Sequence, residues 1–166
     1  MKQLKAQYIG FTAGILMIAA SLLSYYVLKL PIESNFQLLI YLIFTACILW
    51  NLYNHFTSNA VNKSFKDYFS IGFKTFVIIA FLMAVFTYIF FSYNTAFRDD
   101  KIAENSRLLL LEGNHLPKEI EANTQQLKKL FMPIMISSAM FRYLIIGAIV
   151  TAITGGFLST RKTVEK

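Results

Sequence analysis

Four long runs without a fixed charge dominate this sequence and leave few folds open to it. Ala6 to Leu28 makes twenty-three uncharged residues between Lys5 and Lys29. At about 1.5 Å rise per residue such a run reaches roughly 34 Å as a helix, enough to cross a hydrocarbon core of about 30 Å. A second run, Ser34 to Asn62, has its apolar heart at Phe36 to Tyr53, with Tyr41, Trp50 and Tyr53 placed as interfacial aromatics. Thr75 to Phe97 is the third, bracketed by Lys74 and Arg98; Tyr143 to Thr160 is the fourth, closed by Arg161 and Lys162. Each is too long for an ordinary core helix, and none alternates as a membrane β-strand does. Composition agrees. Of 166 residues 56% are hydrophobic and 15% charged, where a soluble domain has about 45–50% and about 25%. That balance excludes an ordinary soluble enzyme and a disordered chain.

The expected fold is therefore all-α, an integral membrane four-helix bundle in a single membrane domain over 1–166, with spans at about 6–28, 36–54, 75–97 and 138–160. The first run exceeds the usual signal-peptide core of about 7–15 residues and no small-x-small cleavage site follows it, so it reads as an uncleaved span stopped at Leu30-Pro31. Two amphipathic segments lie outside the spans. In the 62–74 link, Phe65, Tyr68, Phe69 and Phe73 recur at helical spacing with Lys63, Lys66, Asp67 and Lys74 on the other face. Ser64 with Asp67 makes a short version of a capping box. This predicts a short inner interfacial helix attracted to anionic lipid head groups.

The polar stretch at about 98–131 predicts an outer helical hairpin between spans three and four. Asp99 and Asp100 suit a helix N-terminus, Gly113-Asn114 a C-terminal stop, and Pro117 the first turn of a second helix. Ile120, Thr124, Leu127 and Phe131 form a narrow apolar stripe on that helix, which is too small to hold a core of its own. The hairpin is the most accessible face for a partner.

Charges sort by segment. With both termini inside, the inner segments hold eight basic and two acidic residues, and the outer segments hold seven of each. The inner positives hug the span ends, where the positive-inside rule has its force. The formal charge of +7 thus reports orientation, N-in and C-in, and no nucleic-acid partner. Arg142 is the one remaining charge. A register counted back from Arg161 places it at the outer boundary; a deeper register would need companions such as Ser137 or Asn94.

Few residues carry chemistry. The uncharged runs contain no Asp or Glu, whereas proton- or cation-coupled transport typically uses an intramembrane carboxylate. Cys47 is solitary and fills space in a span. Glu112-x-x-His115 has a di-iron spacing without the second motif or the further carboxylates such a site needs. No catalytic, metal or cofactor-binding residue is expected, and the chain is not read as an enzyme. Packing signals are better. Gly10 and Gly14 stand four apart in the first span; Gly147, Thr151 and Gly155 repeat that spacing in the fourth, beside a second ridge of Ala148, Ala152 and Gly156. Small residues let helices approach closely in lipid, so the first and last spans are expected to pack on each other or across a homodimer.

The Tyr8-x-Gly10 opening of the first span, the Phe65-Lys66-Asp67-Tyr68-Phe69-Ser70-Ile71-Gly72-Phe73-Lys74 segment, the polar outer helices and the glycine-bearing last span carry a resemblance. The chain resembles, over essentially its whole length, the domain of unknown function 4199 family of small four-span bacterial membrane proteins. The resemblance implies this architecture and a Gram-negative inner-membrane location. It brings no activity and no site residues. The expected function is a multi-pass membrane protein, non-enzymatic, acting through helix packing, lipid contact or a partner held by the hairpin. The alternative is a small-solute transporter or channel subunit built as a homodimer.

Overall fold

In the computed structural model, which describes residues 2–29, 36–57, 63–114 and 116–161, no strand occurs among the described residues. Five α-helices follow in order: α1 (Lys2–Leu22), α2 (Phe36–Phe56), α3 (Phe65–Tyr93), α4 (Thr95–Glu112) and α5 (Pro117–Thr160). Leu23–Val27 continues α1 as a π-helical turn with Ser24 buried. Four stretches are long and apolar enough to cross a membrane: Ala6–Val27, Gln37–Phe56, Phe65–Tyr93 and Pro117–Thr160. The Leu30-Pro31 stop and His115 lie outside the described residues.

The chain divides into two compact units. The first comprises 1–83 and 140–166, the second 84–139.

In the first unit α3 is the helix the others pack on. Small residues explain why. A Cβ added at Gly10 would sit 2.9 Å from the Thr75 carbonyl oxygen, and one at Gly14 2.5 Å from Leu82 Cδ1, so α1 lies against α3. On α5 the residues at four-residue spacing, Tyr143, Gly147, Thr151 and Gly155, are buried. Gly147 faces the Phe76 ring, Thr151 fills the space left by Gly72, and Gly155 abuts Tyr68. The expected pairing of the first and last spans is thus corrected. Each uses its small residues on α3, because α3 presents Gly72 and Thr75 where backbones must come close. Two residues round α5, Phe141, Ile145, Ile149, Ile153 and Phe157 are all exposed, the lipid-facing side of a helix packed on one stripe.

The segment expected as a short inner interfacial helix is not a separate element: it is the opening of α3 and runs without a break into that apolar helix. Asp67 Oδ2 accepts hydrogen bonds from Ser64 N and Ser64 Oγ, both at 2.8 Å. The capping box is therefore half formed: the acid reaches back to the cap N–H, while the hydroxyl donates to the acid and the Asp67 N–H bonds the Ser64 carbonyl. Lys63 Nζ donates to the carbonyls of His55 and Phe56, closing the C-terminus of α2 where positive charge suits the dipole. Tyr68 departs from the expected lipid-facing row. It is buried, edge-on to His55 at 5.3 Å, whereas Phe65 and Phe73 stay exposed.

In the second unit the last residues of α3, all of α4 and the first half of α5 come together. α4 starts at Thr95 after Asn94, whose φ −101° and ψ 64° break the helix, and it ends at Gly113 with φ 69°. That positive φ is the left-handed stop the Gly113-Asn114 signal predicts. α5 starts at Pro117, with Leu116 N donating to Glu119 Oε2 at 3.0 Å. It then runs through Pro133 as one helix of 44 residues, about 66 Å of rise, more than twice what a hydrocarbon core holds.

Candidate functional site

A buried polar seam joins three helices of the first unit. Asn51 Nδ2 on α2 donates to Thr75 Oγ1 on α3 at 2.6 Å, and both residues are buried. Thr75 passes its own hydrogen to the Ile71 carbonyl at 3.0 Å, with the Ala6 carbonyl of α1 at 3.5 Å. Thr151 is fully buried on α5 and its hydroxyl has no hydrogen-bond partner. These groups fix helix register, because an amide in lipid has no water to fall back on. Sequence reasoning missed Asn51 and Thr75. An amide inside an apolar run is a visible signal, but its partner is not.

Arg142 stands on α5 with an exposed side chain. Its Nη1 donates to Tyr41 Oη on α2 at 3.1 Å. The Tyr41 ring lies 5.8 Å from that of Tyr143, which in turn meets Phe44 edge-on at 5.3 Å. The companion of Arg142 is thus Tyr41, and neither Ser137 nor Asn94, the companions a deep register would have needed, is bonded to it. The other sequence-derived candidates, Gly10, Gly14, Gly147, Thr151 and Gly155, serve packing on α3 and do not gather into one site.

The second unit carries a polar recess. A cleft of about 810 Å³ opens between α4 and α5, lined by Arg98, Asp99, Ser106, Glu121, Thr124 and Lys128 among others. Helix geometry sets its lining. Arg98, Ile102 and Ser106 repeat every four residues on α4, and Glu121, Thr124 and Lys128 follow spacings of three and four on α5. The Ser106 and Thr124 hydroxyls lie 2.7 Å apart and tie the helices at one level; each also reaches the carbonyl one turn back. Arg98 Nη2 pairs with Asp99 Oδ1 at 3.0 Å. The cleft thus offers both signs of charge, with hydroxyls and the Gln125 amide between them.

The Ile120, Leu127, Phe131 stripe takes a different place from the one expected. Ile120 and Phe131 are buried along with Ile102 of α4 and Phe90 of α3, and Phe131 meets Phe91 edge-on at 5.1 Å. Ile120 and Phe131 of the stripe thus face a core shared by α3, α4 and α5, with Leu127 half-buried. The two hairpin helices do not close this core alone: the end of α3 contributes Phe90 and Phe91 to it. Among the described residues no group of three His, Cys, Asp or Glu stands close enough to hold a metal ion.

A model of the family described as "Protein of unknown function (DUF4199)" matches residues 8–160. No curated protein and no solved structure matches the chain.

Proposed function

We propose, for a chain that belongs to the DUF4199 family, a non-enzymatic role as a multi-pass membrane protein that engages a polar partner through the cleft between α4 and α5. The observation that carries this reading is the cleft itself. It gathers Arg98, Asp99, Glu121 and Lys128 around one recess, whereas the exposed row of α5 in the first unit, Phe141 to Phe157, is apolar. A mixed-charge recess recognises a partner segment bearing both signs, and its polar lining specifies orientation more than affinity. The same reading places the protein in a bacterial inner membrane with both termini cytoplasmic, as the basic residues at the ends of the spans support. Phe65 and Phe73, exposed beside Lys66 and Lys74, would rest among anionic head groups at that inner boundary.

The test is site-specific photocrosslinking in native membranes. A photoreactive residue at Gln125, in the cleft, is expected to give one discrete adduct that Lys128→Glu removes. The same residue at Ile149, on the lipid-facing row, is expected to give none. Equal labelling from both positions would refute the reading. Solute flux in liposomes that survives loss of the adduct would favour the transporter alternative.

A further inference from the structure

Among the described residues Arg142 makes one hydrogen bond, too little to satisfy its charge. A guanidinium carries five N–H donors in a planar fork, and one of them is used, by Tyr41 Oη at 3.1 Å. Among the described residues of the first unit the one carboxylate is Asp67, which sits on the first turn of α3 and is held by Ser64. α2 carries no Asp or Glu, and none follows Glu121 on α5. Among the described residues of the first unit, no second acid stands beside Asp67 to offer the positive charge a counter-charge.

Its depth follows from the same helix. Arg161 stands just past the end of α5, its guanidinium carbon 4.4 Å from the centroid of the Phe157 ring. Nineteen residues separate the two arginines, about 28 Å of helix rise, which matches a hydrocarbon core of about 30 Å. With Arg161 at one boundary, Arg142 lies at the other, at the level of lipid phosphates. On the hydrocarbon side of the pair each helix is apolar and open: Leu42 and Ile145 are exposed by 64% and 57%. Such flanks accept acyl chains and offer nothing to a hydrated free anion.

Tyr41 completes the arrangement. Its oxygen accepts from Arg142, so its own hydrogen remains to donate, and packing on Tyr143, itself braced by Phe44, orients the ring. Two helices thus set donors side by side, within reach of one acceptor group. We propose that Arg142 and Tyr41 clamp the phosphate diester of a membrane phospholipid, with preference for lipids of net negative charge. The clamp bridges α2 and α5 from outside, which makes the bound lipid part of the bundle. It is independent of the partner reading of the α4–α5 cleft and needs only that α5 crosses the bilayer.

Native mass spectrometry of the full chain in detergent tests this, with phosphatidylglycerol and phosphatidylcholine as probes. The wild type is expected to retain phosphatidylglycerol over phosphatidylcholine. R142Q is expected to lower phosphatidylglycerol retention about tenfold and Y41F about threefold, the loss of a charge-assisted and of a neutral hydrogen bond. Millimolar inorganic phosphate is expected to leave the lipid bound. Unchanged phosphatidylglycerol retention in R142Q overturns the proposal. So does displacement by inorganic phosphate, which would make the ligand the free anion. Should R142Q melt below the wild type, Y41F decides, since it keeps the ring packed on Tyr143 and removes only the hydroxyl; unchanged retention there overturns the clamp.

Discussion

Gly72 shows how one missing side chain can set a helix interface in lipid. Thr151 is fully buried and occupies the space where a Cβ on Gly72 would stand, with Thr151 Oγ1 only 2.5 Å and its Cβ 2.9 Å from that position. Thr is stiff at χ1 and cannot swing aside within a helix without leaving its rotamer. Gly14 faces Leu82 Cδ1 at 2.5 Å, but there the obstacle is the far end of a flexible side chain. Gly156 has nothing within 4 Å of its Cβ position. Gly72→Ala should therefore destabilise by about 1–3 kcal/mol, the range for overpacking a close contact, while Gly156→Ala should be neutral or slightly stabilising, as expected for Ala over Gly in a helix. Thermal unfolding in detergent would check the order. The mechanism is specific enough for a second step: Thr151→Ala should recover part of the Gly72→Ala loss, a coupling that a double-mutant cycle reads directly. Additive losses would place the cost elsewhere.

At the scale of elements, α5 is one continuous helix that serves both units, its first half in the second and its second half in the first. Its first half joins α4 and the end of α3 around Phe90, Ile102, Ile120 and Phe131. Truncating Phe131 to Ala should cost about 3–5 kcal/mol in that small core, and the loss should be local. Amide hydrogen exchange is expected to rise across 95–131 while 143–160 keeps its protection; a uniform rise over both stretches would show that the hairpin core does not open by itself. The spans were legible in the sequence because a charge cannot hide in hydrocarbon, so its absence over twenty residues speaks clearly. The joints were less so. The uncharged run ends at Phe97, yet α3 stops at Tyr93 and α4 begins at Thr95. Thr95 to Phe97 are uncharged for a different reason: Phe97 packs its ring on Phe90 and Phe91, at 6.1 Å and 5.9 Å between centroids. Lipid and a protein core demand the same composition, and composition alone cannot separate them. The Arg142–Tyr41 contact was illegible for a related reason, since its partners lie 101 residues apart in the chain and no local pattern links them. The α4–α5 cleft likewise exists only once two helices are laid side by side.

For the whole molecule the charges bear on which side of the membrane each loop faces, and their positions favour both termini inside. Eight basic and two acidic residues fall in the segments read as inner, against seven of each in those read as outer. The Lys and Arg counts are close, so the argument rests on position. Lys63, Lys66 and Lys74 bracket the start of α3, and Arg161 follows the last turn of α5, within the short flanks where positive charge governs insertion. Most of the opposing cations lie in the long 98–131 stretch, interleaved with acids, where they count for little. The single native thiol, Cys47 on α2, makes the test clean once it is replaced by serine. A cysteine at Glu112, in the last turn of α4, is expected to react with a membrane-impermeant maleimide on intact cells. A cysteine at Lys166 is expected to react only after permeabilisation. Reversal of the two results would turn the α4–α5 cleft toward the cytoplasm and place the Arg142–Tyr41 pair against cytoplasmic-leaflet lipids. Where the orientation holds, replacing Lys63, Lys66 and Lys74 together by glutamine should yield a mixed population, with some Glu112 thiols protected on intact cells. An unmixed population would mean that α1 alone, led by Lys2 and Lys5, dictates how the rest of the chain inserts.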